Sequence, residues 1–320
     1  MVRLAPAKLN LTLAVLGRLP DGFHAVHSVM VPLGLADRLS LAVSPSGADS
    51  LRVEGGPAGP IEDNLVLRAI AATRAAVGGA AATPPLAARL EKRIPAAAGL
   101  GGGSSDAAAA IDAALEAWAA ELDADRRLAV AASLGSDVPF FLAGGPALVE
   151  GRGERVMALQ GFRGDSPGVL LVTPAVAVST ADVFAVLAAG GPAAPPAPGA
   201  TRITSAHLAG ELLGGLRAAD LVARAGILST ANDLAAAAAL VAPGLLALRR
   251  ALARLLGRPV GLTGSGPTLW AIYPSLEAAR EAEAIVAGAI SREHVTVPGN
   301  DRPFVAATEI ISRAAGEDRP

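Results

Sequence analysis

Lys92-Arg93-Ile94-Pro95-Ala96-Ala97-Ala98-Gly99-Leu100-Gly101-Gly102-Gly103-Ser104-Ser105 is the stretch on which the fold turns. Upstream, Leu86 to Ile94 reads as a strand. Downstream, Ile111, Leu115 and Trp118 recur at i, i+4 and i+7, the spacing of one helix face. Glycines between a strand and a helix let the backbone approach a phosphate and turn several N–H groups toward it, and the helix N-terminus adds its positive dipole. Ser104 and Ser105 can cap the helix or bond phosphate oxygens. The stretch lacks the Gly-Lys-Ser/Thr of a Walker A loop. Gly99-x-Gly101-x-x-Ser104 comes near the dinucleotide fingerprint, but no first strand of a βαβ unit with a following acidic residue stands out. Taken alone, the loop leaves anion binding and a ligand-free helix start equally open.

Composition narrows the setting. A chain of 320 residues with 52% hydrophobic and 18% charged residues can bury a large core, in two domains of ordinary size. Net charge is −2 with no strongly basic stretch, which argues against nucleic acid and acidic membrane surfaces as main partners. The absence of cysteine excludes disulfides, thiolate metal sites and a cysteine nucleophile. Arg3, Lys8 and Asn10 interrupt the N-terminus, which reads as a strand and not a signal peptide. The longest charge-free run, Pro259 to Leu276, is broken by glycines and prolines, so no membrane helix is expected and the protein reads as cytoplasmic. Lys and Arg total 27, yet only Lys8 and Lys92 are lysines. Each suggests a place that takes a compact ammonium and not a broad guanidinium.

Leu9 to Val15 alternates as a half-buried strand, which puts Lys8 and Asn10 on one face. Asn64 opens a helix that stops at Gly78-Gly79, and a second short helix ends at Gly135. A hairpin turns at Gly151-Arg152-Gly153, Gly168 to Thr173 is a buried strand, and a helix surrounds Phe184. Gly190 to Ala200 reads as a flexible excursion. Helix, helix, strand, Gly-rich turn, strand and helix complete the order, and Ala315 to Pro320 is a loose tail. Strands and helices mix without regular alternation, the pattern of an α+β protein.

Asp137 follows a helix-ending glycine and precedes the apolar Val138-Pro139-Phe140-Phe141. It reads either as a partly desolvated carboxylate fit for general-base work or as a turn or cap aspartate. Leu262-Thr263-Gly264-Ser265-Gly266-Pro267 joins two strands as a second anion-binding nest or a tight turn. Asn232-Asp233 reads as a helix start.

Together these segments resemble the GHMP kinase superfamily, and within it the kinases whose acceptor is a cytidine-diphosphate sugar alcohol. The resemblance rests on Pro6-Ala7-Lys8-Leu9-Asn10-Leu11 with Gly17-Arg18 and Asp21-Gly22-Phe23-His24, and on Glu62-Asp63-Asn64-Leu65. It continues with Lys92 to Asp106, Gly135 to Phe141 and Leu262 to Pro267, all in the family's order. Two departures stand out: Phe23 where the family usually has Tyr, and Ala97 and Ala98 where it usually has glycine.

The resemblance implies two α+β domains. Residues 1–156 would be similar to ribosomal protein S5 domain 2, and residues 157–314 would be ferredoxin-like, with the active site in the cleft between them. It implies ATP-dependent phosphorylation of the 2-hydroxyl of a cytidine-diphosphate methylerythritol, a step of the non-mevalonate isoprenoid route. Asp137 would be the general base, with Lys8 holding it ionised and stabilising the nascent alkoxide. Pro95, Ala96, Ala97, Ala98, Gly99, Leu100, Gly101, Gly102, Gly103, Ser104 and Ser105 would wrap the triphosphate, with Lys92 close by and Asn64 at the adenine. Phe23 and Phe184 would sandwich cytosine, His24 would bond its polar edge, and Asn10 and Thr180 would bond the diphosphate or the sugar alcohol. Mg²⁺ is expected with ATP, while no dedicated metal cage can be read. A GHMP kinase for mevalonate or homoserine is the rival reading. The Asp-Gly-Phe-His segment argues against it, since those acceptors carry no base.

Overall fold

Two sheets carry the strands. In the computed structural model the described residues are 1–56, 61–79, 83–195 and 199–312, apart from the side chain of Glu62. The tail expected at 315–320, and residues 196–198 of the expected excursion, lie outside them.

Among the described residues the first sheet holds seven strands: β1 (Val2–Asn10), β2 (Ala14–Arg18), β3 (His24–Val43), β4 (Ser50–Glu54), β5 (Leu86–Glu91), β6 (Ala147–Gly151) and β7 (Arg155–Ala158). β3 is its spine. Its start pairs with β2 and β6 and its remainder with β1 and β5, all antiparallel, while β4 joins β5 in parallel. β6 and β7 form the hairpin expected at Gly151 to Gly153. The reading of Leu9 to Val15 as one half-buried strand is corrected: β1 stops at Asn10, β2 begins at Ala14, and Leu11, Thr12 and Leu13 between them are buried. Alternation did place Lys8 beside Asn10, but here both faces of the strand are covered.

Four helices pack on this sheet: α1 (Leu65–Ala76), α2 (Gly102–Trp118), α3 (Ala124–Leu134) and α4 (Val138–Leu142). Asn64 caps α1, its Oδ1 accepting the Val66 N–H at 2.9 Å, and α3 ends at Gly135 as expected. α2 buries Ala107, Ala108, Ala110, Ala113 and Ala114, whose short side chains let the helix lie close to its neighbours. Ile70, Ile111, Leu39, Leu41 and Leu90 fill the space around them. Each fully buried leucine or isoleucine contributes roughly 1.5–3 kcal/mol.

The second sheet begins with β8 (Gly168–Thr173). Among the described residues six α-helices follow: α5 (Thr180–Ala189), α6 (Ala200–Leu213), α7 (Ala218–Ala223), α8 (Ala225–Leu228), α9 (Ala235–Val241) and α10 (Leu245–Leu256). Then come β9 (Gly261–Leu262), β10 (Leu269–Tyr273), α11 (Leu276–Ser291) and β11 (Phe304–Glu309). The strand order is β11-β8-β10-β9, all antiparallel. That is the 4-1-3-2 order of a ferredoxin-like βαββαβ unit whose first crossover is expanded to six helices. The sequence reading undercounted the short helices α7 to α9 and missed β11, whose half-buried edge position gives weak alternation.

A buried apolar cluster joins the two sheets. Leu9, Leu11, Val31 and Leu33 of the first meet Leu171, Trp270 and Ile272 of the second, with Leu208 and Leu212 of α6. Beyond β11 the chain returns to β3, where Ile310 bridges Leu33 and the Ile311 N–H donates to Pro32 O at 2.9 Å. The expected two-domain α+β fold is the one observed. Among the described residues no single helix is long and apolar enough to cross a membrane.

Candidate active site

At the sheet seam, β1 presents Lys8, only 3% exposed. Its Nζ donates to Asn10 Oδ1 at 2.6 Å and stands 3.6 Å from Asp137 Oδ2. Asp137 occupies the N-cap position of α4, yet its side chain caps nothing. The cap reading of this aspartate therefore falls, and its carboxylate, about one-third exposed, faces the buried ammonium.

The glycine-rich loop lies against the same lysine. The Lys8 N–H donates to Leu100 O at 2.9 Å, so strand and loop are tied backbone to backbone. The loop ends in α2, whose N-cap, Gly101, is left-handed (φ +70°). No side chain caps this first turn and no acidic residue stands in it. Ser105 Oγ is buried there without a partner. An uncapped helix start with an orphaned hydroxyl fits a polyphosphate.

Gly101 also meets a packing demand that its motif did not show. A Cβ there would lie 2.9 Å from Lys8 Cγ and 3.0 Å from Phe141 Cζ, so the missing side chain makes room for the lysine stem. Gly99 is packed likewise, its Cβ position 2.8 Å from Thr263 O. Ala98 and Leu100 are core residues, while Ala97 sits at φ +51°, a region where glycine is at ease.

Lys92 lies under the start of α2, its Nζ 3.4 Å from the Cβ position of Gly102. It is held by two carboxylates, Asp37 and Asp106, the latter at 2.6 Å. Asp37 is fully buried and also accepts the backbone N–H groups of Arg93 and Ile94. Burial works against the Lys92 ammonium, but the two carboxylates more than offset it and hold its pKa above the ordinary value. Burial pushes the Asp106 carboxyl up to about 7, with Lys92 opposing. The two directions agree once Asp37 is taken as the counter-ion of Lys92: one carboxylate suffices, and the second repels it. Asn64 spends its Oδ1 on the α1 cap and keeps only its amide hydrogens for a ligand.

On the other side of Lys8 a cavity of about 930 Å³ opens. It brings together Lys8, Asn10, Phe23, His24, Gly99, Gly101, Asp137, Thr180 and Phe184, which the sequence left more than 170 residues apart. Lys92, Asn64 and the rest of the loop do not line it. Within the cavity the expected cytosine sandwich is rearranged. Phe184 stacks on His24, with ring centroids 4.7 Å apart and planes 21° apart. Phe23 is 55% exposed and lies beneath the Arg152 guanidinium, 5.6 Å from the ring centroid. Arg152 also pairs with Asp21 at 3.0 Å. Thr180 Oγ1 and Ser265 Oγ share a hydrogen bond of 2.8 Å, which ties α5 to the C-terminal Gly-rich turn.

Several residues of this site were not singled out. Asp37 had one signal, a carboxylate directly after the apolar run from Val29 to Ala36. Asn232 was read as a helix start. It does stand ahead of α9, its Oδ1 accepting the Leu234 N–H at 2.9 Å, and its Nδ2 also donates to Leu262 O and Gly264 O, both at 2.9 Å, which fixes the Gly-rich turn. Its neighbour Asp233 accepts the Val15 N–H and the Thr201 hydroxyl.

Comparison with known proteins follows the same lines. Residues 64–145 match the model of the GHMP kinases N terminal domain. A 4-diphosphocytidyl-2-C-methyl-D-erythritol kinase of Pelotomaculum thermopropionicum is 41% identical over 281 residues, 88% of this chain and 92% of the relative. One of Methylorubrum extorquens is 41% identical over 289 residues, with the same coverage of 88% and 92%. The crystal structure of a 4-(cytidine 5'-diphospho)-2C-methyl-D-erythritol kinase superposes with a TM-score of 0.68 at 32% identity, covering 97% of this chain and 99% of that one. A buried lysine facing a carboxylate at a two-sheet seam, beside an uncapped glycine-rich helix start, thus sits in a chain that belongs to the 4-diphosphocytidyl-2-C-methyl-D-erythritol kinase family of GHMP kinases.

Proposed function

We infer that the protein transfers the γ-phosphoryl group of ATP to the 2-hydroxyl of 4-diphosphocytidyl-2-C-methyl-D-erythritol, a step toward isoprenoid precursors. The observation that carries this reading is the Lys8–Asp137 pair. It stands where the cavity wall meets the glycine-rich loop, within reach of both an acceptor in the cavity and a triphosphate on α2.

Asp137 takes the proton of the acceptor hydroxyl, and Lys8, 3.6 Å from that carboxylate, stabilises the developing alkoxide. The alkoxide oxygen bonds to the γ-phosphorus as the bond to the β–γ bridging oxygen breaks. Residues Pro95 to Ser105 hold the triphosphate through backbone N–H groups and the hydroxyls of Ser104 and Ser105. Mg²⁺ would enter with ATP, carried by the triphosphate, and would neutralise charge on the transferred group. Lys92 lies beside the nucleotide chiefly as a support under the loop, since its charge is already matched, and Asn64 offers its amide N–H to the adenine. In the cavity, Phe23 and Phe184 supply ring faces for cytosine, His24 its polar edge, and Thr180 and the remaining amide hydrogen of Asn10 bond the diphosphate or polyol. We place the boundary between the two domains at 158/159, which keeps β7 whole where the sequence reading put it at 156/157. The donor is a cytoplasmic metabolite, and we place the enzyme there.

ADP release with ATP and the cytidine-diphosphate methylerythritol acceptor tests the reading. Release on mevalonate or homoserine, with none on that acceptor, would overturn it.

A further inference from the structure

Asn10 stands between Lys8 and two buried hydroxyls, and the direction of each hydrogen bond can be worked out. Ser28 Oγ donates its only proton to Thr12 O at 2.6 Å. Toward Asn10 it can then only accept, and it takes the Nδ2 hydrogen at 2.9 Å. On the other side Thr263 Oγ1 accepts the Asn10 backbone N–H at 3.1 Å, and its own proton goes to Asn10 Oδ1 at 3.2 Å. The two hydroxyls together leave one amide orientation, with Oδ1 toward Lys8 Nζ at 2.6 Å. The flipped amide would put N–H donors against an ammonium that is itself donor-only.

Ser28 and Thr263 are both 0% exposed, and Asn10 is 3% exposed. Ser28 comes from β3 in the first sheet, whereas Thr263 comes from the turn after β9 in the second. Its carbonyl packs on Gly99, and Asn232 holds the residues on either side of it. We infer that Ser28 and Thr263 are positioning residues for phosphoryl transfer, which act by fixing the Asn10 amide so that it aims the Lys8 ammonium at Asp137. Thr263 thereby makes the aim of a lysine on the first sheet conditional on docking of the second.

The inference rests on the catalytic role given to Lys8, so Lys8→Ala is measured alongside. Thr263→Val keeps the buried shape and removes the hydroxyl. It lowers kcat about tenfold or more while the KM values for ATP and acceptor stay within about twofold, the pattern of an interaction used in the transition state. Ser28→Ala does the same, and Thr263→Ser, which restores the hydroxyl, recovers most of the turnover. A protein merely loosened by Thr263→Val would lose kcat, both KM values and melting temperature together, without rescue by serine, and that result overturns the assignment. So does wild-type kcat in Thr263→Val when Lys8→Ala is inactive. Should Lys8→Ala itself turn over normally, the failure lies with the proposed mechanism.

Discussion

Lys8 Nζ and Asp137 Oδ2 stand 3.6 Å apart, beyond ordinary hydrogen-bond range, while the ammonium bonds Asn10 at 2.6 Å. The carboxylate is therefore neutralised by a neighbouring charge but keeps its oxygens for a hydroxyl proton. Asp137→Asn should lower kcat by about 10²–10⁴-fold, the range for a positioned general base. The KM for ATP should change little, because Asp137 pairs with Lys8 and not with a loop residue. Turnover near wild type would remove Asp137 from the chemistry.

Lys8→Arg should be inactive or nearly so, although the charge is kept. The Nζ lies 3.4 Å from the Cβ position of Gly264, and the stem passes 2.9 Å from that of Gly101. A planar guanidinium needs more width than this slot offers. Steady-state assay of the folded variant decides it, and normal turnover would mean that charge alone suffices.

Acceptor specificity depends on which ring cytosine meets. Stacked rings lie about 3.5 Å apart, so a base between His24 and Phe184 would need about twice that spacing, and their centroids are only 4.7 Å apart. His24 must leave Phe184 for the base to stack there. Phe23→Ala and Phe184→Ala should each cost about 1–3 kcal/mol of acceptor binding. His24→Ala should instead erode discrimination between cytidine and uridine acceptors, read as kcat/KM for each. Unchanged acceptor kinetics in Phe184→Ala would assign that ring to packing alone.

Asp106 makes stability depend on pH. With its folded pKa raised from 3.8 to about 7, the folded chain holds a proton that the unfolded chain has already lost. Stability from this group is complete below about pH 4 and declines as pH rises toward 7. Asp106→Asn has no proton to lose, and Asp37 still balances Lys92. Its melting temperature should match wild type near pH 5 less favourably than near pH 8, where the variant gains. Equal pH slopes for the two proteins would refute the assignment.

Ala97→Gly tests a departure from the family pattern. A left-handed alanine costs about 1–2 kcal/mol, while glycine costs roughly 0.5–1 kcal/mol of extra chain entropy. The first equals or exceeds the second, so the variant should be as stable as wild type or more stable by up to about 1.5 kcal/mol. Denaturant unfolding would show a loss instead if the φ of +51° were not held.

Local chemistry made much of the site legible. Alternation put Lys8 beside Asn10, the helix stop at Gly135 set Asp137 free, and the loop lay between the strand and helix that flank it. Partners distant in sequence were invisible. Nothing near Thr263 or Asn232 announces that each bonds a segment far along the chain, and nothing near Gly101 announces that folding packs Lys8 and Phe141 against it. β3 was missed because Pro32 and Gly34 interrupt a run that tertiary pairing nevertheless keeps extended.

The return of Ile310 and Ile311 to β3 bears on how the enzyme is made. The strands of the first sheet, its lysine and its glycine loop all lie before residue 159, while β3 also takes partners from Ile310 and Ile311. A ribosome-bound fragment would carry every residue assigned to the triphosphate and none of the closure that aims them. Removing Ile310 and Ile311 would leave β3 without that pairing and take away one of the ties between the two sheets.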